Sequence, residues 1–154
     1  MDDNSIKALV FDVFGTVVDW RTSIALEAKQ CLSKKGYELN WVLFADSWRA
    51  KYQPAMEKVR TGGRGFVRLD ILHMENLIEV LKDFDIKSVT ETELNYLNRA
   101  WHRLLPWSDS VPGLLRLKKK FIIGTMSNGN VALMVNMAKN GGLPWDVILG
   151  AEPA

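Results

Sequence analysis

Asp12 and the pair Ser127-Asn128 are the residues whose types and settings permit chemistry in this chain. Asp12 follows the apolar run Ala8-Leu9-Val10-Phe11, and Gly15-Thr16 turns the chain within four residues of it. Ser127-Asn128-Gly129-Asn130 follows a second apolar run, Phe121 to Met126, where a helical pattern begins. Apolar runs of this length read as buried central strands of a parallel sheet, and such sheets bind ligands at the carboxyl ends of their strands. With the two strands as neighbours, a carboxylate would face a hydroxyl, an amide side chain and the unpaired amides of a helix N-terminus, an anion-holding arrangement. A carboxylate so placed can act as a nucleophile, forming an ester that water later cleaves. Turn and cap roles account for Asp12 and Ser127 one at a time, so spacing alone leaves the two readings level.

Periodicity supplies the elements that must position these groups. Residues 6–11 read as the first strand. A helix from Thr22 to Lys35 follows, with Ile24, Ala28, Cys31 and Leu32 on one face and Gly36 at its end. Asn40 can cap a second helix whose face reads Trp41, Phe44, Ala45, Trp48, Tyr52, Met56 and Val59, and Pro54 should kink it. After a Gly-rich break at 61–65, a helix from Val67 to Lys82 is apolar on more than one side, as expected of one packed between neighbours. Thr90 and Glu93 form a capping box that opens a helix turning Leu94, Leu97 and Trp101 inward. Ser110-Val111-Pro112 starts a short helix. Residues 121–150 then form a βαβ unit, with Val131, Met134, Val135 and Ala138 on the inner face of its helix. One strand, about four helices and a βαβ unit describe an α/β fold: a Rossmann-like core of residues 1–18 and 103–154, with residues 19–102 inserted as a helical cap.

Composition excludes several function classes. With 154 residues, 47% hydrophobic content, 25% charge and a net charge of +2, the chain reads as an ordinary globular protein. Its basic residues are dispersed apart from Lys118-Lys119-Lys120 at a helix end, so neither nucleic acid nor an anionic membrane surface is an expected partner. No apolar run approaches the roughly 18 residues of a membrane helix. A lone Cys31 and no signal-peptide pattern fit a cytoplasmic location, and Cys31 on an apolar helix face reads as core filler. His73 lies among Leu69, Leu72 and Leu77 as a core or boundary residue, and His102 has no Cys or His at ligand spacing, so no metal site is expected.

Phe11-Asp12-Val13-Phe14-Gly15-Thr16, with Ser127-Asn128-Gly129 after the second strand, resembles the haloacid dehalogenase superfamily. Trp48-Arg49 in the helical block and Ser127-Asn128-Gly129-Asn130 are similar to its L-2-haloacid dehalogenase (type II) branch. The resemblance implies roles. Asp12 matches the nucleophile that displaces halide from the carbon beside a carboxylate, and Thr16 matches the residue that orients it. Ser127 matches the hydroxyl that binds the substrate carboxylate; Asn128 and Arg49 match the groups that receive the halide. A solvated surface arginine is the plainer reading of Arg49 from pattern alone. Val13, Phe14 and Trp20 are the expected substrate-side neighbours of Asp12. Phosphatases of the superfamily place a second Asp two residues after the nucleophile, where this chain has Phe14. Halide leaves without a proton, whereas loss of a general acid costs a phosphatase about 10²–10⁴-fold. The implied substrate is a small halogenated carboxylic acid, with no cofactor and no metal; magnesium belongs only to the phosphatase alternative.

The same resemblance implies a lysine after the third strand and a later acidic motif, and no Lys follows Lys139. The core is therefore expected to be incomplete, with turnover in doubt and a non-catalytic fragment as a further alternative. The strand carrying Asp12 is expected to become an apolar edge that favours a homodimer or edge-strand self-association.

Overall fold

In the computed structural model, which describes residues 6–152, the chain begins with β1 (Ala8–Phe11), β2 (Val18–Asp19) and α1 (Trp20–Leu32). Four more helices follow: α2 (Trp41–Ala50), α3 (Tyr52–Arg60), α4 (Leu69–Asp83) and α5 (Glu91–Asn98). The last part runs β3 (Leu105–Pro106), α6 (Ser110–Lys118), β4 (Ile122–Met126), α7 (Val131–Gly141) and β5 (Val147–Leu149). These elements divide into an α/β body, which holds the described residues up to Trp20 and from His102 onward, and a helical body, Arg21–Trp101.

The α/β body is built on a parallel sheet in the order β1-β4-β5. Ala8 to Phe11 pair with Ile122 to Thr125, and Gly124 to Met126 pair with Val147 to Leu149. Both connections advance the same way across the sheet, and right-handed crossovers then place their helices on one face. That face is the covered one: α6 packs on β4 and α7 on β5, Ile123 and Thr125 have no exposure, and Phe11 tilts against Trp145 at 5.6 Å. Asp146 accepts the Ile123 amide (3.0 Å) and pairs with Lys118 (2.7 Å). The amide and the ammonium hold its carboxyl below the usual range.

β1 corrects one expectation and meets another. Its apolar run suggests a central strand, yet β4 is central and β1 lies at the edge among the described residues, as the family resemblance implies. Hydrophobicity records that a strand has apolar surroundings; it does not say on which side a neighbour bonds. A two-residue antiparallel ribbon of β2 and β3 was not foreseen, because pieces this short carry no periodicity.

The helical body follows the cap chemistry closely. Asn40 accepts the Leu43 amide (3.0 Å) at the start of α2, and Thr90 and Glu93 exchange both bonds of a capping box at α5. The long second helix of the sequence reading is two helices that part at Lys51. Pro54 has no amide to offer the Ala50 carbonyl four residues back, and α2 ends at Ala50 while Pro54 sits in the first turn of α3, where proline is tolerated. α4 lies against α2, α3 and α5, burying Leu69, Leu72, Leu77, Val80 and Leu81. The core centres on Trp48, edge-on to Trp101 at 5.5 Å, with Phe44 beside it.

Two helix faces differ from the pattern. α7 buries Leu133, Met134 and Met137, while Val131 is exposed; the helix starts after Gly129-Asn130 in an orientation that its seat on β5, not its own periodicity, decides. Cys31 is half-buried, not part of the deep core. Burial first, then the charge of Glu93, push its thiol above the usual range, so it is a poor thiolate.

Candidate functional site

Phe11 pairs with Thr125, so Asp12 leaves β1 and Ser127 leaves β4 at the carboxyl ends of adjacent parallel strands. Asp12 is exposed, and Thr16 Oγ1 donates to its Oδ2 at 3.0 Å. One carboxylate oxygen is thus fixed, leaving the other to act. The turn between them is tightly bonded: the Val17 and Val18 amides both reach the Val13 carbonyl, and the Gly15 amide donates to the Val18 carbonyl. Gly15 has a φ of 94°, a left-handed conformation that a side chain disfavours.

That loop is also pinned from outside. Trp107 Nε1 donates to the Gly15 carbonyl (3.0 Å) and Ser110 Oγ to the Val17 carbonyl (2.7 Å). Ser110 was read only as a helix start and Trp107 not at all, and no spacing rule would have found these contacts, since they reach backbone carbonyls about ninety residues away. Val13 is fully buried under the loop, so it is the loop's anchor and offers no side-chain surface. Phe14 and Trp20 are half-buried, with the Trp20 indole nitrogen within 3.5 Å of where a Gly15 Cβ would stand.

At the second strand end, the Gly129 amide donates to Ser127 Oγ at 3.1 Å, and exposed Asn128 follows it. Asn130 is extended and buried at the start of α7. The expectation of unpaired helix amides here is corrected at one position: the Val131 amide donates to Glu152 Oε2 at 2.8 Å. The turn past β5 brings Glu152 there, with the Ala151 amide on the Gly129 carbonyl (3.1 Å). Gly150 runs so close to that carbonyl that a Cβ would collide with it. A carboxylate at this place suits the positive end of a helix, and only the fold shows that it comes from the chain itself.

Arg49 belongs to the helical body, in the last turn of α2. Its guanidinium lies 4.4 Å from the centre of the Tyr52 ring, so it is half-buried and ring-stacked, unlike a freely solvated arginine. Its neighbour Trp48 is locked by an indole bond to the His73 carbonyl (3.0 Å). His73 stacks on Trp101 at 4.3 Å and His102 Nδ1 meets Asn136 at 3.0 Å, so both histidines are packed within their own bodies. Among the described residues no three His, Cys, Asp or Glu side chains form a group able to hold a metal ion.

The model of one family, haloacid dehalogenase-like hydrolase, matches residues 6–151. Among solved structures, the defluorinating L-2-haloacid dehalogenase Rha0230 superposes with a TM-score of 0.93 at 52% identity, over 96% of this chain and 61% of its own. The L-2-haloacid dehalogenase PA0810 gives 0.89 at 39% identity, over 96% and 63%. An L-2-haloacid dehalogenase from Xanthobacter autotrophicus, at 23% identity over 95% and 57%, shares the fold with a TM-score of 0.80. The chain therefore spans about three-fifths of the length of the relatives it matches. No curated protein matches it.

Proposed function

Because this chain belongs to the haloacid dehalogenase-like hydrolase family, we propose that it carries the nucleophile-bearing part of an enzyme that hydrolyses short (S)-2-haloalkanoic acids. The observation that carries this reading is Asp12 itself, exposed at a strand end with one oxygen bonded to Thr16 and with a phenyl ring, Phe14, two residues on.

The free oxygen of Asp12 attacks C2 of the substrate from the side opposite the halogen. The C–halogen bond breaks with its electron pair on the halide, C2 inverts, and an ester joins Asp12 to the 2-position of the acid. Water then attacks the ester carbonyl, returning the Asp12 carboxylate and releasing the 2-hydroxy acid. Ser127 binds the substrate carboxylate; Asn128 and Arg49 receive the halide. Phe14 has no proton to give, which suits a leaving group that needs none. This chemistry asks for no metal. The lone, inert Cys31 is in keeping with a reducing cytoplasm.

The test separates binding chemistry from turnover. The chain is incubated with L-2-chloropropionate and analysed by mass spectrometry and halide release, beside p-nitrophenyl phosphate with and without magnesium. The expected result is an adduct of the substrate less its halide on Asp12, absent in Asp12→Asn. Phosphate release that depends on magnesium would favour the phosphatase alternative. A folded chain with neither reaction would make it a non-catalytic member of the fold.

A further inference from the structure

The loop Ser127-Asn128-Gly129-Asn130 is held in place by a segment to which the proposed reaction gives no role, the turn Gly150-Ala151-Glu152 past β5. Thr125 Oγ1 donates to the Leu149 carbonyl and accepts the Leu149 amide, both at 2.9 Å, which ties the ends of β4 and β5 together. The Ala151 amide then donates to the Gly129 carbonyl at 3.1 Å, and Glu152 Oε2 accepts the Val131 amide at 2.8 Å. These contacts bracket Ser127 and Asn128 from both ends. Between them the loop is wedged. A Cβ on Gly150 would collide with the Gly129 carbonyl, and a Cβ on Gly129 would lie 2.8 Å from Met134 Sδ on α7.

The seat of Gly129 matters because its amide donates to Ser127 Oγ at 3.1 Å. A hydroxyl that accepts one bond still has its proton to donate, and the place of Gly129 decides in which direction that proton can be offered. We propose that Glu152 is a positioning residue. By accepting the Val131 amide it latches the loop so that the Ser127 hydroxyl and the Asn128 side chain meet an incoming carboxylate. This role deepens the proposed function and rests on its reading of Ser127. Charge alone would act with the opposite sign, since a carboxylate beside an anion site repels a second one. Any gain in carboxylate binding from Glu152 therefore comes through the loop it holds.

The test uses the whole chain and propionate, the substrate's carboxylate without a halogen to lose. Amide NMR shifts at Ser127, Asn128 and Gly129 give its dissociation constant, and hydrogen exchange reads the loop directly. Glu152→Ala should weaken propionate binding by about tenfold. It should also speed exchange of the Gly129 amide, two residues from the lost bond. Glu152→Gln, a neutral acceptor of the same length, should restore both. Gly150→Ala, which pushes the turn off Gly129 with Glu152 intact, should weaken binding as Glu152→Ala does. Unchanged Gly129 exchange in Glu152→Ala overturns the proposal. So do equal losses in the Ala and Gln variants, or tighter binding in both, the outcome that charge alone would give. If the parent chain takes no propionate while the exchange contrast holds, the latch stands and the reading of Ser127 as a carboxylate binder falls.

Discussion

Thr16 holds one oxygen of Asp12 at 3.0 Å, and the two residues have separable consequences when changed. Asp12→Asn should abolish ester formation. Thr16→Val should slow it by about 10–100-fold, the scale seen when an orienting partner is lost, with little change in the melting temperature of an exposed loop; mass spectrometry of the adduct and thermal melts check the pair. Trp48 gives the opposite profile. It is fully buried between Phe44 and Trp101 with its indole bonded to His73, so Trp48→Ala should cost about 3–5 kcal/mol in chemical denaturation. The adjoining Arg49 stacks on the Tyr52 ring instead, so the two neighbours in sequence have separate surroundings.

α5 shows how one cap ties an element to its neighbours. Glu93 accepts the Thr90 amide at 2.8 Å and pairs with Lys35 at 2.9 Å, and these bring its carboxyl down to about 2, the Thr90 amide contributing most. A folded value below the ordinary 4.5 means that the charged form supports the fold above that pH and that the support is lost as pH falls through about 2. Glu93→Gln should therefore lower the melting temperature near neutral pH, with the deficit vanishing in strong acid. Thr90→Ala removes the hydroxyl acceptor and should cost about 1 kcal/mol. Both caps were readable from sequence because they rest on residues three apart. The division of α2 from α3 was readable only as a kink, since proline forbids a bond but does not say whether the helix bends or restarts.

The one-sided sheet makes neighbouring residues behave differently. Ile123 has no exposure on the covered face, whereas Ile122 is 55% exposed on the bare one. Ile123→Ala should cost about 2–5 kcal/mol in urea unfolding, while Ile122→Thr should change stability by no more than about 0.5 kcal/mol. Sequence could not rank them, because both belong to the same apolar run. Alternation assigns them to opposite faces, and only the placement of α6 and α7 decides which face is covered.

The sequence by itself determined what local rules govern: the α/β class, the caps at Asn40 and Thr90, the βαβ unit, and Asp12 and Ser127 at strand ends. Each depends on residues within a turn or a strand of one another, and the family motifs are of that kind. Tertiary structure decided what depends on distant partners. It joined β2 to β3, pinned the Asp12 loop with Trp107 and Ser110, and brought Glu152 to the amide of Val131. Those contacts join residues far apart in sequence through backbone groups that every residue possesses, so no side-chain pattern announces them.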